Sequence, residues 1–273
     1  MIGDTMIETA YAKINLALHV RRRRDDGYHE LETLFAFVDA GDQLSVEVAA
    51  QDQVVTKGEF AEGITDPCDN ILAKALNLLS RGEGWQVTLD KRLPVAAGLG
   101  GGSADAGALF RLVERRFGLP DDWHELASRL GADVPACVSS RTSIGVGTGT
   151  ELQEIDNDLA GMSVLLVNPR IALATGPVFK GWDGLDRGPM PQGSVREIAL
   201  SGRNDLEAPA VALVPEIAEV LNELQRTAPF LARMSGSGAT CFALYEDKAG
   251  ADAAARAIAK SHPHWWMLQG ALR

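Results

Sequence analysis

Leu93-Pro94-Val95-Ala96-Ala97-Gly98-Leu99-Gly100-Gly101-Gly102-Ser103-Ala104-Asp105 is the stretch around which the rest of the chain is read. Four glycines and a serine run directly into residues 104–117. There Ala106, Leu109, Phe110, Val113 and Phe117 recur at helical spacing as one apolar stripe, and Gly118 and Pro120 stop the helix. A Gly-rich turn lets backbone N–H groups wrap an anion. A helix N-terminus adds free donors and a partial positive charge. Close backbone packing in a tight turn uses the same glycines. Two common phosphate loops are excluded. No Gly-Lys-Ser/Thr follows, and counting from Gly98 the third glycine of G-x-G-x-x-G is absent. Ser103 falls where a helix cap, or a phosphate or metal contact, belongs.

Three other segments carry polar groups in unusual settings. Met234-Ser235-Gly236-Ser237-Gly238-Ala239 is a second Gly/Ser cluster, leading into a strand predicted over 239–245. Alone it reads equally as a loop; two such clusters raise the case for one shared polyanion. In Tyr11-Ala12-Lys13-Ile14-Asn15-Leu16, the period of two puts Lys13 and Asn15 on one strand face. A solvated edge explains such a face in isolation. In Gly131-Ala132-Asp133-Val134-Pro135, Asp133 precedes a proline suited to a first helical turn, so an N-cap is a sufficient reading. Arg21 to Arg24 read as a solvated hairpin, His262 and His264 as surface, and Trp265-Trp266 as packing.

The 273 residues allow one or two domains with a real core. Lys+Arg 26 against Asp+Glu 37 gives a net charge of −11, which argues against a nucleic-acid binder, since phosphate neutralisation needs basic surplus. No apolar run approaches the roughly 20 residues of a membrane span, and the N-terminus shows no signal peptide. Cys68, Cys137 and Cys241 are odd in number and far apart, as expected of reduced thiols in a cytoplasmic protein.

Strands are predicted over 7–20, 43–48, 85–89 and 163–167, and helices over 70–79 (capped by Asp69), 122–130, 215–224 and 249–260. Residues 180–194, rich in Gly and Pro, form an irregular loop. A polar break over 151–161 suggests domains at 1–153 and 154–273. Without regular βαβ alternation, the class is α+β.

Pro94 to Asp105 resembles the phosphate-binding loop of the GHMP kinase superfamily, and Met234 to Ala239 resembles its C-terminal glycine motif. Ala12 to Leu16, Asp26-Gly27-Tyr28-His29 with Leu31, and Gly131 to Pro135 are similar, in order and spacing, to one branch of it. That branch acts on a cytidine diphosphate derivative in non-mevalonate isoprenoid synthesis. The resemblance implies a ribosomal protein S5 domain 2-like N-terminal domain, a ferredoxin-like C-terminal domain and an active site in the cleft between them. It implies a kinase using ATP and Mg²⁺, with no nucleic-acid or membrane partner, as a monomer or homodimer. Lys13 and Asp133 match the catalytic pair: Asp133 as general base, Lys13 beside it neutralising charge. Pro94 to Ala104, with Gly236, Ser237 and Gly238, match the ATP-binding segments. Asn15, Tyr28, His29 and Phe179 match residues around the substrate, with Tyr28 and Phe179 stacking on cytosine and His29 hydrogen-bonding it. Ala96 and Ala97 stand where glycines are commoner. Alternative readings are another kinase of the superfamily, acting for example on homoserine, and a non-catalytic nucleotide-binding protein on the same scaffold.

Overall fold

The computed structural model describes residues 5–64 and 70–273. The N-terminal residues 1–4, Cys68 and the expected cap Asp69 therefore lie outside the described residues. Two strands open the chain, β1 (Met6–Arg23) and β2 (His29–Ala49). Both are longer than predicted, because Leu34 to Val38 and Ala12 to Val20 are buried continuously instead of alternately, and such runs carry no period-two signal.

The described residues group into two compact units. The first comprises those within 1–12, 41–95 and 100–140. It contains β3 (Gln53–Lys57), α1 (Ile71–Leu78), β4 (Gly84–Asp90), α2 (Gly101–Phe117), α3 (Trp123–Leu130) and α4 (Val134–Ser139). Strand β4 pairs in parallel with β3 and antiparallel with residues 43–49 of β2. Its alternation buries Trp85, Val87 and Leu89. Asn70 caps α1 through its side chain, accepting from the Leu72 N–H at 2.9 Å. Helix α2 starts at Gly101, three residues before the predicted start at 104, because Gly100 at φ +60° makes the left-handed turn just ahead of it. Its last residue, Phe117, leaves the predicted core stripe and stacks on Trp85 at 5.8 Å, at the surface.

The second unit comprises 13–40, 96–99 and 141–273. Residues 31–35 of β2 pair with β5 (Ser143–Gly147), which pairs with β6 (Glu151–Glu154). There follow β7 (Ser163–Asn168), α5 (Thr175–Lys180), α6 (Val195–Ser201), α7 (Glu207–Leu213), α8 (Glu216–Arg226), β8 (Leu231–Met234), β9 (Cys241–Tyr245), α9 (Lys248–Ser261) and β10 (Trp266–Ala271). The last sheet is antiparallel with order β10-β7-β9-β8. That order, with helices crossing from β7 to β8 and from β9 to β10, is the ferredoxin-like split βαβ arrangement. Helix α8 buries Ile217, Val220, Leu221 and Leu224, and α9 buries Ala251, Ala254 and Ile258. Leu165, Val167 and Ala243 of the sheet belong to the same core. Residues 181–194 have no regular structure, as the composition predicts. Trp265 and Trp266 are buried. Among the described residues no helix is long and apolar enough to cross a membrane.

Candidate active site

In the second unit, residues 96–99 are held by their carbonyl groups. The Ala96 carbonyl accepts from Leu173 N (3.1 Å), Ala97 from Thr240 N (3.1 Å), Gly98 from Ser235 Oγ (2.8 Å) and Leu99 from Lys13 N (3.0 Å). In a planar trans peptide the C=O and the next N–H point in opposite directions. Each N–H of residues 97–99 thus points away from the partner that holds the preceding carbonyl, and Ala97 and Leu99 are buried. The two glycine clusters meet here. A Cβ on Gly98 would lie 2.3 Å from the Ser235 carbonyl oxygen and 2.9 Å from Gly238 N. A Cβ on Gly236 would lie 3.1 Å from the Gly98 oxygen and 3.2 Å from Asn15 Oδ1. Ser237 Oγ is 3.0 Å from Thr175 Oγ1 of α5. Ala96 sits at φ +52°, a conformation its Cβ disfavours, which explains why a glycine is usual there.

Lys13 and Asn15 do not lie on a solvated edge; both are buried. Lys13 Nζ donates to Asn15 Oδ1 at 3.1 Å and lies 4.4 Å over the Phe35 ring. Asn15 Nδ2 donates to Thr33 Oγ1 (2.7 Å), which donates to the Ala17 carbonyl (2.7 Å). This chain fixes the orientation of the Asn15 amide and holds the ammonium in a defined place.

The hairpin between β1 and β2 carries Tyr28 and His29. Asp26 Oδ1 accepts from Tyr28 N at 3.0 Å, and the Tyr28 side chain is 64% exposed. His29 is buried, 5.0 Å from the Phe179 ring and edge-on to Trp182 at 5.8 Å. Burial, and then the Arg23 guanidinium, lower the His29 pKa and favour the neutral ring. Its Nε2 accepts from Arg23 Nε at 3.4 Å. Phe179 lies on the short helix α5, for which the sequence predicts no element. Trp182, three residues on, escaped that reading; its only signal was spacing from Phe179. The Arg21–Arg24 tetrad is engaged in pairs, Arg21 with Glu32 and Asp186, Arg22 with Glu30 and Arg24 with Asp26.

In the first unit, no side chain caps α2, and its first turn holds no acidic residue. The N–H groups of its first turn lack partners within the helix. Ser103 faces the Gly131–Asp133 turn: a Cβ on Gly131 would lie 3.9 Å from Ser103 Oγ. Asp133 occupies the N-cap position of α4, yet its carboxylate makes no capping hydrogen bond, so the cap reading fails. Two features fix α4 against α2. Gly107 admits the Cys137 carbonyl so closely that a Cβ would lie 2.4 Å from its oxygen. Arg111 donates to the carbonyls of Cys137 (2.6 Å) and Thr9 (2.6 Å), to Ser140 Oγ (2.9 Å) and to Glu8 (2.9 Å). Beneath the start of α2 lies a buried triad of Asp42, Lys91 and Asp105. Lys91 Nζ is 2.5 Å from Asp42 Oδ2 and 2.8 Å from Asp105 Oδ2. Sequence reasoning missed it, since the three residues are widely separated in the chain.

The uncapped start of α2 suits an anion such as a phosphate group. Among the described residues no group of three or more His, Cys, Asp or Glu is arranged to hold a metal ion.

The chain matches two family profiles: residues 70–141 match the GHMP kinases N terminal domain, and residues 193–264 match GHMP kinases C terminal. With these two segments on this fold, the chain is a GHMP kinase. The chain is 67% identical to the 4-diphosphocytidyl-2-C-methyl-D-erythritol kinase of Novosphingobium aromaticivorans, covering 97% of this chain and 92% of that one. It is 62% identical to the enzyme of that name from Erythrobacter litoralis, over 97% and 99%. A crystal structure of 4-(cytidine 5'-diphospho)-2C-methyl-D-erythritol kinase superposes with TM-score 0.81 at 32% identity, over 98% and 99% of the two chains. The chain belongs to the 4-diphosphocytidyl-2-C-methyl-D-erythritol kinase family. A homoserine kinase from Cytophaga hutchinsonii, at 14% identity and TM-score 0.69, shares the fold.

Proposed function

We propose that this chain transfers the γ-phosphoryl group of ATP to the 2-hydroxyl of 4-diphosphocytidyl-2-C-methyl-D-erythritol, giving the 2-phosphate and ADP, in the cytoplasm. The observation that supports the chemistry best is the start of α2, which follows the glycine loop with no side-chain cap and no acidic residue in its first turn. Phosphoryl transfer asks mainly for positioning and for stabilisation of charge on the transferring group. Pro94 to Ala104, with Gly236, Ser237 and Gly238, bind the nucleotide. Asp133 accepts the hydroxyl proton as general base, and Lys13 offsets negative charge on the phosphoryl oxygens. Mg²⁺ bound with ATP supplies further neutralisation of the polyphosphate. Asn15 orients the acceptor, and its amide is already fixed by Lys13 and Thr33. The His29–Phe179 ring pair favours a planar base over an amino acid such as homoserine, and the exposed Tyr28 supplies a second stacking face. His29, neutral, hydrogen-bonds the cytosine edge.

The test is ADP release with Mg-ATP, comparing the cytidine compound with homoserine and mevalonate. Turnover with the cytidine compound alone is expected; turnover with another alcohol would overturn the substrate. Asp133→Ala is expected to lower kcat by about 10²–10⁴-fold while ATP binding persists. Near-wild-type turnover in that variant would remove Asp133 from the mechanism.

A further inference from the structure

We propose that the Asp42–Lys91–Asp105 triad is a positioning device for nucleotide binding, which sets the first turn of α2 and thereby the N–H groups offered to the polyphosphate. The inference rests on the kinase reading above.

The triad ties together the chain entering the glycine loop and the helix leaving it. Asp42 Oδ1 accepts from Arg92 N (2.6 Å) and Leu93 N (2.8 Å), while Oδ2 holds Lys91 Nζ at 2.5 Å. The same ammonium reaches Asp105 Oδ2, within the second turn of α2, at 2.8 Å. It also lies against the first residue of the helix: a Cβ on Gly101 would be 3.1 Å from Lys91 Nζ. A shift of the ammonium is therefore a shift of the residues that begin α2.

Stability does not account for these groups. All three are buried, and Asp105 Oδ1 has no hydrogen-bond partner. An orphaned buried oxygen is unfavourable, and apolar residues of similar volume are commonly as stable as a buried ion pair or more so. A buried polar network kept at such a place fixes geometry. Burial pushes the Asp105 carboxyl up to about 8, against the pull of Lys91 and helped by Asp42. Burial disfavours the Lys91 ammonium, but the two carboxyls outweigh that and hold its pKa above the ordinary value.

The test is calorimetric titration of Mg-ATP into the full-length protein, with steady-state kinetics on the same samples. Asp105→Ala is expected to raise the Kd and KM for ATP about tenfold or more, leaving KM for the alcohol acceptor within about twofold. Asp105→Asn, which keeps an oxygen on Lys91, is expected to recover most of that loss. The triple variant Asp42→Asn/Lys91→Met/Asp105→Leu removes all three charges, keeps an amide oxygen for the Arg92 and Leu93 N–H groups and guards against a misfolded single variant. It is expected to melt within a few degrees of the wild-type temperature and still bind ATP about tenfold more weakly. Wild-type ATP affinity in the triple variant, or a lowered Tm with unchanged Kd in Asp105→Ala, would overturn the proposal. A wild-type protein that binds no Mg-ATP would instead overturn the kinase reading, and this inference with it.

Discussion

Replacing Gly107 with alanine sets helix propensity against packing in one side chain. Gly107 lies inside α2, where alanine is favoured over glycine by about 1 kcal/mol. Against that, the new Cβ would stand 2.4 Å from the Cys137 oxygen and 2.5 Å from its carbonyl carbon, where ordinary contact needs 3.4 Å. The neighbour is backbone and cannot rotate away, so α4 must move from α2 by about 1 Å. Overpacking of that kind costs about 1–3 kcal/mol, which outweighs the propensity gain. Net destabilisation of up to about 2 kcal/mol, taken at its midpoint of about 1 kcal/mol, corresponds to a fall in Tm of roughly 2–4 °C in a chain of this size. The displaced helix carries Asp133 at its start, and a misplacement of about 1 Å can lower turnover by about 100-fold. Gly102→Ala is the control in the same helix, since its Cβ meets only Ile71 Cγ2 at 3.9 Å. It is expected to raise Tm by about 2–4 °C. Thermal melts and ADP release on both variants decide the matter. A Gly107→Ala protein with unchanged or higher Tm and wild-type kcat would refute the reasoning.

Other outcomes follow from the same geometry. Ala96→Gly relieves a left-handed strain of about 1–2 kcal/mol and adds about 0.5–1 kcal/mol of unfolded-chain freedom, for a net gain near 0.5–1 kcal/mol. Denaturant melts would show it, and a loss of stability would contradict it. Tyr28→Ala and Phe179→Ala are each expected to raise KM for the cytidine substrate by about 5–100-fold, from about 1–3 kcal/mol of stacking, with kcat little changed. An unchanged KM would remove that side chain from the substrate site. The native Asp105 carboxyl keeps its proton up to about pH 8, whereas the unfolded one ionises near its ordinary 3.8. Between these values the native state binds the extra proton, so stability falls as pH rises, by up to ~1.4 kcal/mol per pH unit. Asp105→Asn is expected to flatten that slope between pH 5 and 8; parallel slopes in the two proteins would count against the assignment.

The parts of the fold that carry a regular period were legible in the sequence. The alternation of β4 announces one buried face, and the stripe of α2 announces a helix, though the structure buries α2 from Ala104 to Val113 on all sides except at Arg111. Short elements such as α4 and β8 lack enough residues to show a period, and Leu34 to Val38 are buried without alternation. Within the site, glycines mark places where backbone meets backbone, as the contact of Gly98 with Ser235 shows. Lys13 and Asn15 looked like a wettable strand face because period alone does not tell which face is covered. The triad was illegible for another reason. Asp42, Lys91 and Asp105 are each ordinary surface residues by type, and only tertiary structure brings them together. Trp182 stands in a segment with neither helical nor strand pattern, so its place beside His29 had no local cue.

The four pinned carbonyls of residues 96–99 decide how this loop can be interrogated. Its proposed ligand contacts are main-chain atoms, so alanine scanning there reports bulk and backbone strain while leaving every donor in place. The informative change is atomic: an ester in place of the amide nitrogen of residue 98 or 99 deletes one N–H and keeps the side chain. The positive φ of Ala96, Gly98 and Gly100 makes side-chain substitution in the loop a test of backbone conformation as much as of binding.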